Sequence, residues 1–315
     1  MSGTTMTRNA IQKADGAPAS PSLAGAGSPH IEHRSLWGDS WKAFRRHKIA
    51  LVCLLLLVAI AVFSIAGPVI SSWDAEQINF SAKSQPPSLS HPFGTDELGR
   101  DQLVRTMEGG RISLTVALVA VTFAITIGVL VGTVAGYVGG VVDNILMRLV
   151  DVFYSMPGLL VAILLLALVG QGFWTIVIAI GIFRWMGTAR LVRASFLSLT
   201  RMEYVEAART VGVPSWRIAF RHVLPNALSP VIVAATLGIA GAILTESALS
   251  FLGLGFQPPQ ATWGRMLAEA QSVVVNQGHW WRGLFPGLLI FITVLSVNYV
   301  GDGLRDAVDP RRRDR

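Results

Sequence analysis

Polar and apolar positions along this chain alternate in blocks of tens of residues. Long apolar runs begin near Ile49, Ile112, Val142, Phe173, Pro230 and Leu284, each bounded by glycine, proline or clustered charge. A helix needs about 20 apolar residues to cross the hydrocarbon core of a bilayer, so the pattern predicts six membrane-spanning helices. The third run is the least clean, because Asp143, Arg148 and Asp151 fall within it. Composition supports the same class. Of 315 residues, 52% are hydrophobic and 14% charged, against about a quarter charged in a soluble chain. So few charges cannot cover a water-soluble globule, and the fold class is all-α integral membrane.

The segments between the runs set the organisation. Residues 1–40 are rich in Ser, Gly, Ala and Pro and read as a disordered cytosolic tail. In 41–48, Trp41 and Phe44 stand at i, i+3 beside a basic cluster, which predicts a short interfacial segment on an anionic lipid surface. Residues 49–70 are the first crossing; the run starts too late, and exceeds the roughly 7–15 residues of a signal-peptide core. An external loop with a short helix follows at 71–111. A five-helix core occupies 112–304 and includes a cytosolic loop at 195–226, and 305–315 form a basic tail.

With the N-terminus inside, the cytosolic segments collect most of the arginines. Only Lys83, Arg100, Arg105, Arg111, Arg265 and Arg282 are left outside. Positive charge favours the cytosolic side, so both termini are expected in the cytoplasm. The net charge of +7 therefore reports membrane orientation. No basic patch is interleaved with aromatics, so nucleic acid is not an expected partner. The single cysteine, Cys53, lies in the first apolar run and reads as a small core residue. His30 and His33 flank Glu32 in the tail, too sparse a set for a metal site.

Small residues mark close helix approach. Gly128, Gly132, Gly136 and Gly140 recur every fourth residue along the second crossing and fall on one ridge, where a second backbone can approach. Ala234, Gly238 and Ala242 repeat the device in the fifth. Pro157, within Tyr154-Ser155-Met156-Pro157-Gly158, kinks the third crossing. The kink either serves packing or lines a pathway. Arg148 and Asp151 are spaced to pair with each other. Arg184 and Glu246 have no obvious local partner and are expected, like that pair, near helix ends.

The loop at 195–226 carries the clearest chemistry. Tyr204, Ala208 and Val211 share one helical face, and Gly212 stands where a helix C-terminal cap belongs. Pro214 restarts the chain with Ser215 as N-cap. Trp216, Phe220 and Val223 form a second apolar face, with Arg217 and Arg221 elsewhere, and Leu224-Pro225 ends this helix before the next crossing. Two short helices at a fixed angle, with Glu206 available to a basic group, suit either docking of a soluble protein or packing on lipid and on the protein's own helices.

Glu206-Ala207-Ala208, Gly212 and Leu224-Pro225 resemble the EAA motif of ABC importer permeases, with His222 where an aliphatic residue is common. Further segments resemble the C-type permease subunits of dipeptide and oligopeptide importers, a family that includes nickel transporters. They are His91-Pro92-Phe93-Gly94-Thr95-Asp96-Glu97-Leu98-Gly99-Arg100-Asp101, the run from Glu246 to Gly255 into Pro258-Pro259 and Thr262-Trp263-Gly264, Phe285-Pro286-Gly287, and Gly301-Asp302-Gly303. Within the first, Thr95 reads as the N-cap of a short external helix. The resemblance implies a type I ABC importer permease fold in a bacterial inner membrane, forming half of a heterodimeric pore. It implies two cytosolic ATPases gripping the Glu206 loop, an external solute-binding protein, and peptides, nickel chelates or another small solute as cargo. The external loop at 255–281 would meet the binding protein in part, while Trp280 and Trp281 anchor at the lipid headgroups. No phosphate-binding loop and no catalytic constellation occur in the chain, so ATP would be bound by other subunits and no cofactor is expected. An ion-coupled secondary transporter and a membrane scaffold are the rival classes.

Overall fold

The computed structural model describes residues 36–308. Its main elements are helices: α1 (Leu36–Arg46), α2 (Lys48–Ile70), α3 (Gln102–Val138), α4 (Gly140–Tyr154), α5 (Gly158–Val169), α6 (Phe173–Gly181), α7 (Trp185–Leu199), α8 (Glu203–Thr210), α9 (Ser215–Ile218), a π-helical turn (Ala219–Val223), α10 (Leu224–Phe251), α11 (Trp263–Gln277) and α12 (Trp281–Val308). The tail residues His30, Glu32 and His33 lie outside the described region.

Four helices are long and apolar enough to cross a bilayer alone: α2, α3, the continuous run Ser215–Phe251, and α12. The other two crossings are bent pairs, α4 with α5 at 79° and α6 with α7 at 44°, which bring the number to six. The first bend falls at Ser155–Pro157, where proline supplies no backbone donor. The second, at 182–184, has no proline. α6 ends at Gly181, where an added Cβ would meet the carbonyl of Ala120 at 3.1 Å and the Phe123 ring at 2.7 Å.

The glycine ridge finds its partner within this chain. A Cβ on Gly128 would stand 2.7 Å from the carbonyl oxygen of Trp185, one on Gly132 2.5 Å from that of Ala189, and one on Gly136 2.6 Å from Cβ of Phe196. Three turns of α3 therefore lie against the backbone of α7. Gly140 does not belong to this ridge. α3 ends at Val138, Gly139 and Gly140 both take positive φ (67° and 56°), and nothing lies within 4 Å of a Cβ at either. Gly140 turns the chain into α4. Gly238 meets only Val121, at an ordinary 3.5 Å.

A polar cap closes the end of the bundle at which α3 begins. No helix follows Thr95; Asp96 accepts from the backbone of Leu98 and Arg100, and Gly99 turns back at φ 74°. The carboxylate satisfies a tight turn, so the N-cap of α3 is Asp101, which accepts from Val104 N at 3.0 Å. The only helical turn in 71–101 is the 3-10 turn at Phe80–Ala82. Buried Asp96 pairs with Arg100 at 2.7 Å, and buried Arg105 reaches Glu269 on α11 at 3.0 Å. Asp101 also holds His91 at 2.8 Å. α3 thus begins ten residues before the apolar run that announced it, its first turns held by this network.

Trp281 is 6% exposed, sits against Gly94 and donates to the carbonyl of Thr95. It is a pillar of the cap and not a lipid anchor; Trp280 remains half-exposed. At the opposite end Phe44 is buried against Gly303 with Trp41 stacked on it. Phe44 is thus taken up by the fold, leaving Trp41 as the exposed aromatic of that segment.

Candidate functional site: the loop between α7 and α10

α8 ends in a Schellman arrangement. Gly212, at φ 82°, donates to the carbonyl of Arg209 at 2.9 Å, and Val213 donates to that of Ala208 at 3.0 Å. Left-handed φ at this position is open to glycine at no steric cost. Ala208 and Val213 then pack beside buried Val205, Ile218 and Val223. The loop is therefore fixed on the membrane domain through a small apolar core.

The apolar faces read from periodicity split between core and surface. Tyr204 and Val211 are exposed, and so are Trp216 and Phe220, while Val205, Ile218, Ala219 and Val223 point inward. Ser215 is not an N-cap; Pro214 holds that position and no side-chain cap bond is made. Leu224-Pro225 does not end the helix. Leu224 N bonds back five residues to Ala219, and α9, the π turn and α10 run on as one 37-residue helix. Pro225, which has no backbone donor to give a continuous helix, follows directly on the π turn, where the backbone bonding is already shifted. His222 fits this turn: its carbonyl accepts the side-chain amide of Asn226 at 2.7 Å.

What results is an outward surface of Tyr204, Val211, Trp216 and Phe220 studded with Glu206, Arg209, Arg217 and Arg221, all exposed. An open groove of about 640 Å³ runs between Trp216, Arg217, Phe220, Arg221 and Pro225. Ala207 is exposed beside Glu206, and Ala208 and Leu224 are half-buried at the loop's base. Exposed large apolar groups concentrated on a polar loop signal a protein contact.

Arg148 and Asp151 do not pair. Asp151 takes Arg190 of α7 at 2.6 Å, and Asp143 takes Arg193 with two bonds of 2.5 and 2.6 Å, leaving Arg148 exposed. Two aspartates on α4 thus clasp two arginines one turn apart on α7, tying the bent third and fourth crossings together just above the loop. Glu246 is fully buried and accepts from Ser250 at 2.8 Å and Ser113 at 3.3 Å, bridging α10 to α3. Arg184 is not near a helix end of its crossing. It lies at the α6–α7 break and donates to the carbonyl of Gly238 and the hydroxyl of Thr245 on α10, each at 3.3 Å. No group of three or more metal-ligating side chains occurs among the described residues.

The family model described as "Binding-protein-dependent transport system inner membrane component" matches residues 128–314, and that of the "N-terminal TM domain of oligopeptide transport permease C" matches 35–87. The chain is 45% identical over 286 residues to the oligopeptide transport system permease protein OppC of Escherichia coli (strain K12), covering 90% of this chain and 94% of that one. It is 43% identical over 275 residues to the dipeptide transport system permease protein DppC of Bacillus subtilis (strain 168), covering 87% and 86%. The glutathione transport system permease protein GsiD of Pectobacterium atrosepticum is 42% identical over 282 residues, covering 88% and 92%. Among solved structures, the inward-facing MetNI methionine ABC transporter aligns with a TM-score of 0.51 at 21% identity, over 65% of this chain and 96% of that one, a likeness of fold.

Proposed function

This chain belongs to the family of binding-protein-dependent transport system inner membrane components, in the branch of the oligopeptide and dipeptide permease C subunits, and from that membership we propose that it lines one half of the pathway by which an ATP-driven importer takes up short peptides. Permeases of this family sit in the inner membrane as multi-pass subunits, work with a binding protein and separate ATPases, and carry no catalytic centre or cofactor of their own. We infer further that a second, homologous permease completes the pore, that two ATPases dock on the cytosolic side, and that dipeptides or oligopeptides are the cargo.

The unbroken helix from Ser215 to Phe251 carries this reading. An ATPase that grips Glu206, Trp216 and Phe220 holds one end of a rigid rod whose other end is a membrane crossing. The Gly212 cap, with Ala207 and Ala208 before it, fixes the first loop helix against that rod, and Leu224 and Pro225 sit at the joint. Closure of the ATPases on ATP then moves α10, and the clasp of Asp143 with Arg193 carries the motion through α7 to the bent third crossing at Pro157. ATP biases the switch by binding the closed ATPase pair more tightly than the open one. Pro157 and its exposed neighbours line the pathway in this scheme, with Gly128, Gly132 and Gly136 keeping α3 and α7 moving together.

The expected result in proteoliposomes containing both permeases and the ATPases is peptide uptake that requires ATP and the binding protein together. Uptake driven by an ion gradient without ATP would contradict the reading. On this reading both termini and the Glu206 loop face the cytoplasm. In a Cys53→Ser background, a cysteine at fully exposed Leu89 should react with an impermeant maleimide in cells whose outer surface is accessible, and one at Val211 only after the inner membrane is opened. The reverse pattern would invert the topology.

A further inference from the structure

A guanidinium inside a membrane is costly unless it is paired or lines a cavity. The other arginines that brace the helices of this chain meet carboxylates: Arg105 with Glu269, Arg190 with Asp151, Arg193 with Asp143. Arg184 makes no ion pair with any described residue. Its two bonds, to the carbonyl of Gly238 and the hydroxyl of Thr245, are 3.3 Å long. Charge-assisted bonds between arginine and a carboxylate are about 2.7–2.9 Å, so these neutral contacts hold the side chain without neutralising it. Two of five N–H donors are used, and the side chain stays partly exposed.

Its position is as telling as its missing partner. Arg184 stands between α6 and α7, so it lies mid-span in the fourth crossing. Gly238, which it bonds, is midway along α10. Phe183, its neighbour, packs on Gly158, the first residue of α5, where an added Cβ would meet it at 3.2 Å. The two broken crossings and the middle of α10 therefore meet at one depth, and substrate sites of membrane transporters are built where helices break near the midplane. Room for the guanidinium is provided by Gly241, where a Cβ would lie 2.6 Å from Nη2 of Arg184. The charge is thus seated in a slot cut for it in α10.

We propose that Arg184 is a cargo-binding residue that takes the terminal carboxylate of a passing peptide at the middle of the pathway. This inference rests on the peptide-import reading. A short peptide entering the membrane brings its own α-carboxylate, which must be stripped of water, and a bidentate guanidinium is the geometry that replaces that water. The weak bonds to α10 keep Arg184 in place between passages and exchange readily for the stronger ones.

The test uses the full complex in proteoliposomes with one tripeptide as free acid and as C-terminal amide, each at concentrations shown by calorimetry to saturate the binding protein. Wild type should take up the acid faster than the amide. Losing a hydrogen-bonded charge contact costs about 1.5–3 kcal/mol, so Arg184→Gln should reduce acid uptake roughly 10- to 100-fold and collapse the acid-to-amide preference toward one. Arg184→Lys, which keeps the charge and loses the fork, should fall between them. An equal loss for acid and amide in both variants would overturn the inference and make Arg184 a structural or intersubunit contact. Unchanged acid uptake in Arg184→Gln would also overturn it. Failure of wild type to take up either peptide would instead defeat the peptide-import reading, and this inference with it.

Discussion

Replacing Gly132 by leucine is expected to remove most of the folded, membrane-inserted protein. Even the first added atom would stand 2.5 Å from the carbonyl oxygen of Ala189 and 2.7 Å from Cβ of Val192. One is backbone and the other a β-branched side chain, so neither can swing aside. Relief requires α3 and α7 to separate along the line where Gly128 and Gly136 also touch α7. Overpacking a well-filled contact costs about 1–3 kcal/mol and occasionally more, and here all three turns of the contact would open together. The cost should exceed that range for leucine and lie within it for alanine. Gly140→Ala is the comparison, since nothing occupies the space and only the positive φ is strained, at roughly 1–2 kcal/mol. Monodisperse protein after detergent extraction, with its melting temperature, reads the series. Normal yield and melting for Gly132→Leu would mean that α3 and α7 do not pack as described.

Substitution of Gly212 should stop transport while leaving the membrane domain intact. No atom lies within 4 Å of a Cβ at this position, so the effect of a side chain comes from φ 82° alone. Asparagine tolerates that conformation and should keep most of the uptake. Valine does not, as a β-branched residue at positive φ. Gly212→Val should release the caps on Arg209 and Ala208, fray the end of α8 and lower ATP-dependent uptake roughly 5- to 30-fold, the equivalent of the 1–2 kcal/mol by which such a conformation is disfavoured. Equal uptake by the asparagine and valine variants would show that the cap does not transmit motion.

Much of this architecture was legible in the chain because lipid makes hydrophobic length a direct readout of structure. All six apolar runs lie on crossings, the glycine spacing marked a real contact, and the Gly212 cap could be read from one residue. The misreadings share a cause: side chains whose roles are set by distant partners. Asp151 prefers Arg190, 39 positions away, to Arg148 on its own helix. Thr95 looked like a helix start until Asp96 closed a turn with Arg100. Trp281 has the composition of an anchor, but Gly94 leaves it a slot in the polar cap. Val223 reads as a member of the Trp216–Phe220 face, but across the π turn it is buried with Ile218 and Ala219 while those two aromatics stay exposed. The break before Arg184 carries no proline, so nothing in the sequence set that arginine at mid-span.

The central claim is that the loop around Glu206 and Gly212 is where the ATPases hold this permease. Capture of the ATPases by tagged wild type and by Gly212→Pro, each co-expressed with the partner permease, tests it most directly. Proline cannot adopt φ 82° and removes the N–H that bonds Arg209. The account predicts that the variant inserts, retains the partner permease and loses the ATPases. Undiminished capture of the ATPases by Gly212→Pro would contradict it.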